Sequence, residues 1–299
     1  MSDAAEIKTR INSISETRKV TDAMYMISSV KMRKAKREIE KTTPYFKALR
    51  EELGELLHYI PENKNRYFQI LDPDGIVGRA LLLITSDKGL SGSYNHTAIK
   101  AAEKLLSEHD DMIVFPVGEY GKNYFANGRF KVAEGFSYSA AFPTIWKAKS
   151  ICSALLDYYN NDAVDEVDII YTHYMAGKPE ECKSICLLPL NASQFYDSND
   201  FEIPFGKEYY PNPTSVLKGI IPSLLTGFVY SALVDSYCSE QNARMSAMST
   251  AGKNADDMLK KLKQEYNGIR QAAITREMTE LTSGTKALKK MREQAKRKG

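Results

Sequence analysis

Long helical patterns at both ends of this 299-residue chain limit the folds it can adopt. Apolar residues recur at helical spacing over residues 3–58 and again over about 214–293. At ~1.5 Å per residue these helices would be about 85 Å and about 120 Å long, whereas a globular domain of the central size needs helices of about 30 Å. We therefore predict that the ends protrude and pair with each other as an antiparallel coiled coil.

The first helix has an apolar stripe with an expected irregularity. Ile7, Ile11 and Ile14 share one face. The next apolar residues stand one position out of a strict heptad, so we expect the face to slip there. The stripe should then continue with three residues: Val20, Met24 and Ile27. Pro44 predicts a kink rather than an end.

The second helix has a more regular seam. Steps of three and four residues run for nearly four heptads through Met245, Met248, Gly252, Ala255, Leu259, Leu262, Tyr266, Ile269 and Ala273. The face is then expected to slip to Ile274. Small residues in the seam would let the first helix approach closely.

The middle of the chain alternates as an α/β domain does. Short apolar runs and helical spacing predict strands at 80–85, 112–117 and 167–171, helices at 94–108 and 143–159, and an edge hairpin of 167–175 with 182–190. This order favours a Rossmann-like domain with a partly parallel sheet. The predicted domains are a coiled-coil helix (1–60), a linker (61–79), the α/β domain (80–205) and a second coiled-coil helix (206–299).

Charge is distributed unevenly behind a net value of +3. Residues 1–50 carry a net +6 (12 basic, 6 acidic) and residues 286–299 another +6 (7 basic, 1 acidic), which leaves −9 for the rest. Basic ends would attract nucleic acid, a lipid surface or an acidic protein surface. No apolar run reaches 18 residues and the N-terminus has no signal pattern, so a soluble protein without a membrane span is expected.

No group of residues stands out as a catalytic site. The turn 86–92 follows a buried strand, where α/β proteins place ligands, but it lacks the glycine spacings that cradle phosphates. An ordinary tight turn is the favoured interpretation, with nucleotide binding as the alternative. The four histidines are scattered, and the acidic pairs at 110–111 and 180–181 are expected to be solvated. No cofactor is predicted.

The cysteines and one basic run leave alternatives open. Cys152, Cys182, Cys186 and Cys238 are too few for a disulfide framework, and we interpret Cys182 and Cys186 as reduced packing residues. A redox pair or half a metal site at Cys182 and Cys186 remains the alternative. The basic run 31–37 could be a solvated surface, a contact with an acidic protein, or a nucleic-acid contact.

Specific motifs occupy four stretches of the chain: residues 6–35, the turn 86–92, 239–248 and 266–281. Together they resemble the γ subunit of bacterial F-type ATP synthases. It implies a non-catalytic rotor whose coiled coil turns inside a hexamer of α and β subunits, with catalysis in β. The implied partners are α, β, the ε subunit, the membrane c-ring and, in the wider complex, δ. The implied location is peripheral, on the cytoplasmic face of the cell membrane.

The resemblance also assigns roles to individual residues. Met24 matches a position near a mobile β loop, and Arg244, Gln271 and Thr275 match positions where the shaft meets β. Lys8, Arg10 and the C-terminal tail would lie in the axial cavity of the hexamer. The basic residues after 285 extend past the family motif. The segment 178–186 does not resemble the plant-type redox insertion, so no thiol regulation is predicted. Rival interpretations are an α/β enzyme with helical extensions and a nucleic-acid-binding coiled coil.

Overall fold

The computed structural model describes residues 2–60, 65–68, 75–76, 78–109, 111–128, 130–175, 181–195 and 208–297. Most of the predicted linker 61–79, Asp110, and residues 176–180 with the predicted hairpin turn lie outside these residues. The side chains of 2–3, 289–290 and 292–297, which include most of the basic tail, also lie outside the description.

Five helices, five strands and two short 3₁₀ turns make up the described part. The elements are α1 (Ser2–Leu57), β1 (Arg79–Ile84), α2 (Tyr94–Glu108), β2 (Ile113–Val117), α3 (Glu119–Ala126), β3 (Lys131–Val132), α4 (Ile145–Asn160), β4 (Glu166–His173), β5 (Glu181–Leu188) and α5 (Pro213–Arg297), with 3₁₀ turns at Arg66–Phe68 and Ala192–Gln194. The two long helices, the three strands, the edge hairpin and both central helices were predicted within a few residues of these bounds. Two elements, α3 and β3, were missed, because eight residues with an internal glycine and a two-residue strand carry almost no periodic signal.

The strands form one mixed sheet in the order β3-β2-β1-β4-β5. The first four strands are parallel, and β5 pairs antiparallel with β4 at the edge. Alternate residues of β1 enter different cores: Leu82 and Ile84 pack with α4 and α5, whereas Leu81 and Leu83 pack with α2. The continuous apolar run of β1 is therefore buried on both faces, as predicted for a parallel strand.

The chain forms two compact units, each built on parts of α1 and α5. One comprises the described residues of Met1–Tyr25 and Met248–Gly299, and the other comprises those of Met26–Ala247, which include the sheet. In the larger unit, α1 and α5 run antiparallel, since Lys36 lies near Cys238 and Phe46 packs on Gly227. In the smaller unit, Arg18 pairs with Asp256 at 3.0 Å beside Gly252.

The buried stripe on α1 corrects the predicted slip. Val20 is 51% exposed and Ile27 is 53% exposed, whereas the polar neighbours Thr21 and Ser28 are 7% and 2% exposed. One heptad position stays buried or half-buried along the helix: Ile7, Ile14, Thr21, Ser28, Ala35, Thr42, Leu49 and Leu56. Small polar residues can occupy the seam because their hydroxyls bond to the helix, as Thr21 Oγ1 donates to the Arg18 carbonyl at 2.7 Å.

The seam of α5 is buried only over its first part. Met248, Gly252 and Ala255 are buried, four further seam residues through Ile269 are half-buried, and every residue from 271 to 288 is exposed. The predicted slip at Ile274 falls in this exposed part, where no seam forms.

One described helix, α5, is long and apolar enough to cross a membrane by length and composition. More than half of its most apolar window (56%) is buried inside the protein, and core helices of globular proteins pass the same test. This window therefore reflects the packing of α5 against the sheet.

Candidate functional site

One carboxylate, that of Asp87, connects the turn 86–92 at the carboxyl end of β1 to two neighbouring segments. Asp87 accepts hydrogen bonds from the hydroxyl of Ser139 at 2.6 Å and from the backbone N–H groups of Ala140 and Ala141 at 3.0 Å each, and of Glu119 at 3.3 Å. Burial acts to raise the pKa of Asp87, but these four donors outweigh it and the pKa is lowered. Asp87 therefore ties the turn, as an anion, to the start of α3 and to the loop before α4.

Both donors of Ser86, at the start of this turn, are used within the protein. Asn95 Oδ1 accepts from the backbone N–H of Ser86 at 2.9 Å, and the Ser86 hydroxyl donates to the Lys88 carbonyl at 2.7 Å. Gly118, with a φ of 92°, lets the backbone of Thr85 approach so closely that a Cβ at position 118 would overlap its carbonyl. These contacts fit the tight turn that the sequence favours, and the turn lacks the glycine spacings of a phosphate cradle.

Arg244 fastens the turn to α5. Its guanidinium pairs with Glu240 at 2.6 Å and donates to the carbonyls of Lys88 at 3.3 Å and Gly89 at 3.1 Å. The other carboxylate oxygen of Glu240 accepts from Gln241 at 2.7 Å. Only 14% of the Arg244 side chain and 10% of the Glu240 side chain are exposed. The residue thus has a structural task within the chain.

The structure does not gather the four predicted contact residues into one site. Arg244 belongs to the larger unit, whereas Met24, Gln271 and Thr275 belong to the smaller one. Met24 is half-buried on α1, while Gln271 and Thr275 are exposed on α5, where Thr275 Oγ1 donates to the Gln271 carbonyl at 2.9 Å. Their partner contacts therefore remain a prediction. Lys8 and Arg10, which were expected to lie in the axial cavity of the hexamer, are likewise exposed.

An uncovered apolar stripe follows the predicted contact residues along α5. Ile274 is 48% exposed, Met278 62%, Leu281 68% and Leu288 62%. Spacings of four, three and seven place all four near one face of the helix. Apolar side chains grouped in this way mark a surface that other molecules cover.

The four cysteines are free, and Cys152 and Cys238 are buried. Cys182 is half-buried, which fits the packing interpretation, whereas Cys186 is exposed, so that interpretation is wrong for Cys186. Cys182 and Cys186 stand opposite different residues of β4, Thr172 and Asp168, which separates them along β5.

A small group of possible ligand atoms lies beside Cys186. One donor atom each from Glu166, Asp168 and Cys186 falls within 4.8 Å of the others. Arg79 Nε already pairs with Glu166 at 2.8 Å and supplies a cation. Burial, with the nearby charge of Glu166, raises the pKa of Asp168 to about 6. Because Arg79 already neutralises Glu166, this group is better explained as a polar cluster around the arginine than as a metal site.

Two exposed side chains near the turn were missed by the sequence analysis. Phe142 lies in the loop bound by Asp87, and Trp146 follows it at the start of α4. Trp146 is the only tryptophan in the chain and is 76% exposed. The sequence signal that could have identified Phe142 and Trp146 is a pair of large apolar residues within a turn-rich segment.

Comparison with known proteins gives a consistent result. Residues 3–288 match the family model described as ATP synthase. The ATP synthase gamma chain of Acetivibrio thermocellus is 38% identical, with 97% of this chain and 100% of that one covered. The gamma chain of Ruminiclostridium cellulolyticum is 36% identical (95% and 98% covered), and the gamma chain described as sodium ion specific in Acetobacterium woodii is 31% identical (95% and 98% covered).

Solved structures share the fold. A chain of the Euglena gracilis mitochondrial ATP synthase aligns with a TM-score of 0.64 at 14% identity, covering 96% of this chain and 95% of that one. A chain of the Tetrahymena thermophila mitochondrial ATP synthase central stalk and c-ring aligns with a TM-score of 0.57 at 24% identity, covering 78% and 99%.

Proposed function

Because the chain belongs to the ATP synthase gamma-chain family, we propose that it is the central rotor of a membrane F-type ATP synthase. It is a non-catalytic subunit, and the chemistry of ATP takes place in the β subunits. Its task in this proposal is to couple rotation of the c-ring, driven by an ion gradient, to opening and closing of the β sites.

The exposed end of α5 is the observation that carries this proposal. Residues 271–288 are all exposed and include the apolar stripe of Ile274, Met278, Leu281 and Leu288. A stable isolated protein rarely leaves such a stripe in water. A sleeve formed by the α and β subunits would cover it.

Coupling by such a shaft depends on many contacts rather than one. Exposed ion pairs contribute only about 0–1 kcal/mol each, which is far too little to carry the free energy of ATP turnover alone. Met24, Gln271 and Thr275 offer surface to the β subunits in this proposal, while Arg244 holds the turn 86–92 in place. Different faces of the shaft then meet different β subunits as it turns.

The remaining partners follow from the same assignment. The α/β domain would stand between the hexamer and the membrane and hold the ε subunit and the c-ring, with δ elsewhere in the complex. The location would be peripheral, at the cytoplasmic face of the cell membrane. The choice of coupling ion lies in the membrane subunits, so similarity to a gamma chain described as sodium ion specific does not identify the ion used with this chain.

Co-purification tests the proposal directly. The chain, tagged and expressed in its native host, is isolated from gently solubilised membranes and its partners are quantified. We expect α and β at three copies each per chain, with ε and the c-ring. A chain recovered without α and β would overturn the assignment.

A sharper test targets the apolar stripe. Replacing Ile274, Met278 and Leu281 together with serine should leave the urea midpoint of the isolated chain unchanged, because these side chains are already exposed. The same variant should weaken coupling of ATP hydrolysis to ion pumping. A matched control replaces three exposed polar residues on the same helix with serine: Asn267, Thr279 and Thr282.

A further inference from the structure

A cavity of about 320 Å³ lies at the β5 edge of the sheet, beside the start of β4. Ile185 and Leu187 of β5 form one part of its wall, Leu190 of the following segment forms another, and Phe228 of α5 a third. Small-molecule sites typically occupy about 300–1,000 Å³ and are lined mostly by apolar side chains, so the cavity has the size and lining of such a site.

Parts of the apolar wall are open to solvent. Ile185 is 42% exposed and Phe228 is 38% exposed. Covering such groups with an apolar ligand removes their surface from water, which favours binding. The ring of Phe228 can also attract a cation over its face.

Two carboxylates belong to the same lining, and each already has an arginine partner. Asp165 accepts a hydrogen bond from Arg66 at 3.4 Å, and Glu166 accepts one from Arg79 Nε at 2.8 Å. The thiol of Cys186 lies in the lining beside Glu166. The cavity therefore has a polar side next to its apolar walls.

A third acid, Asp168, stands beside this polar side without a partner. Its carboxylate oxygen lies within 4.8 Å of a carboxylate oxygen of Glu166 and of Cys186 Sγ. Within the described part of the chain it makes no hydrogen bond or ion pair, and burial raises its pKa. An acid kept in a cleft at such a cost is typical of a site where its charge serves a ligand.

The charges around the cavity favour a cation as that ligand. Four acids stand near three arginines: Asp162, Asp165, Glu166 and Asp168 near Arg50, Arg66 and Arg79. Arg66 pairs with two of the acids, Asp162 and Asp165, and Arg50 donates to the Gln194 carbonyl at 2.6 Å. All three arginines are thus engaged, whereas one acid is not, and complementarity calls for positive charge.

We propose that this cavity binds an organic ammonium ion that carries an apolar body. The body would lie between Ile185 and Phe228, and the ammonium group beside Glu166 and Cys186, where the charge of Asp168 acts on it. A metal ion needs several ligand atoms at once, and Arg79 already occupies Glu166, whereas an ammonium group can bind through one open carboxylate. The site goes beyond the rotor assignment, because none of the predicted shaft contacts lines it.

Titration calorimetry of the full chain tests the site with three probes of similar shape: phenylbutylamine, phenylbutanol and phenylbutyrate. At about pH 7.5 the amine is protonated, the alcohol is neutral and the acid is an anion. We expect one amine per chain with a Kd of about 0.1–1 mM, and binding of the alcohol and the anion at least about tenfold weaker. No saturable binding of the amine, or binding of either other probe as tight as that of the amine, would overturn the inference.

Asp168→Asn separates the charge from the fold. Loss of the charge should lower the affinity for phenylbutylamine at least about tenfold and leave that for phenylbutanol unchanged. The variant should also be more stable than the unsubstituted chain at this pH, so unfolding cannot explain weaker binding. An unchanged affinity for the amine would contradict the proposal.

Ile185→Lys tests the location of the bound amine. A cation added to the cavity wall should repel phenylbutylamine and lower its affinity about tenfold. Tyr120→Lys is the matched control, because it adds the same charge at a residue on α3 that is 45% exposed and outside the lining. Equal affinities for the amine in the two variants would place it elsewhere and overturn the assignment of the cavity.

Discussion

Arg244 and Gln271 lie on the same helix and both match positions of the family's C-terminal motif, yet their surroundings are opposite. Arg244 is almost covered and bonds to Glu240, Lys88 and Gly89, whereas Gln271 is exposed. A motif residue can therefore serve the fold of its own chain or the surface offered to partners. The comparison shows that α5 changes from a core helix to an open surface along its length.

The largest expected effect is loss of stability in Arg244→Ala. The substitution leaves the carboxylate of Glu240 buried without its ion pair and removes two hydrogen bonds to the turn 86–92, which should lower the free energy of unfolding by about 3 kcal/mol. Urea unfolding of the isolated chain measures it. We also expect weaker coupling in the complex, without loss of ATP-driven rotation.

Gln271→Ala is the matched control, because an exposed substitution should change stability by less than about 0.5 kcal/mol. Adding Glu240→Gln to Arg244→Ala should restore part of the lost stability, since the unpaired charge is then absent. Equal urea midpoints for the Arg244 and Gln271 variants would erase the contrast between the two positions.

Packed surroundings also predict a pH effect at Asp168. Burial raises its pKa to about 6 in the folded chain, against an ordinary value of about 4 in the unfolded chain. The folded state therefore binds more protons between about pH 4 and 6, and stability falls as pH rises through this window. Asp168→Asn should remove the penalty and add about 1–3 kcal/mol at pH 7.5.

At pH 4 the same substitution should change little, because Asp168 is then largely protonated in the folded chain. Asp257→Asn, on the exposed face of α5, is the control and should give no such pH-dependent gain. Urea unfolding of both variants at pH 4 and pH 7.5 measures the change in the free energy of unfolding. An equal gain for Asp168→Asn at both pH values would show that the charge of Asp168 is not the cause.

Two glycines of α5 in the larger unit differ in their surroundings, since one is packed against a side chain and the other faces open space. A Cβ at Gly227 would overlap the ring of Phe46, whereas one at Gly219 would meet nothing within 4 Å. Gly219→Ala should stabilise the helix by up to about 1 kcal/mol. Gly227→Ala should instead lose about 1 kcal/mol, because the ring must move.

The double variant Gly227→Ala with Phe46→Ala tests the cause through a mutant cycle. The cost of the alanine at 227 should disappear once the ring is absent. A cost that persists would place the effect elsewhere in the helix.

Long-range periodicity made most of the fold predictable from the sequence. Both long helices and the order of strands and helices in the domain were predicted, because repeated apolar spacing and continuous buried runs are strong signals. The seam of α1 was less accessible, since Thr21 and Ser28 are polar and their burial depends on a partner helix. A stripe traced through apolar residues alone therefore moved to Val20 and Ile27, which are exposed.

The candidate site was predictable only in part. The turn 86–92 was recognised from its glycines, but its attachment to Arg244 joins residues about 155 positions apart. Local spacing carries no information about such a contact. The same holds for the loop before Phe142, where Ala140 and Ala141 bond to Asp87 more than 50 positions away.

The smallest expected effect concerns Met24, which is half-buried on α1. By the proposed function it lies near an acidic β loop, so Met24→Lys should create a new ion pair and lower the number of ions pumped per ATP. A partly exposed pair is worth about 0–1 kcal/mol, so coupling should decrease rather than vanish. Met26→Lys adds the same charge nearly opposite on the helix, at a residue that is 67% exposed. An unchanged ratio in Met24→Lys, or an equal decrease in both variants, would remove Met24 from the contact surface.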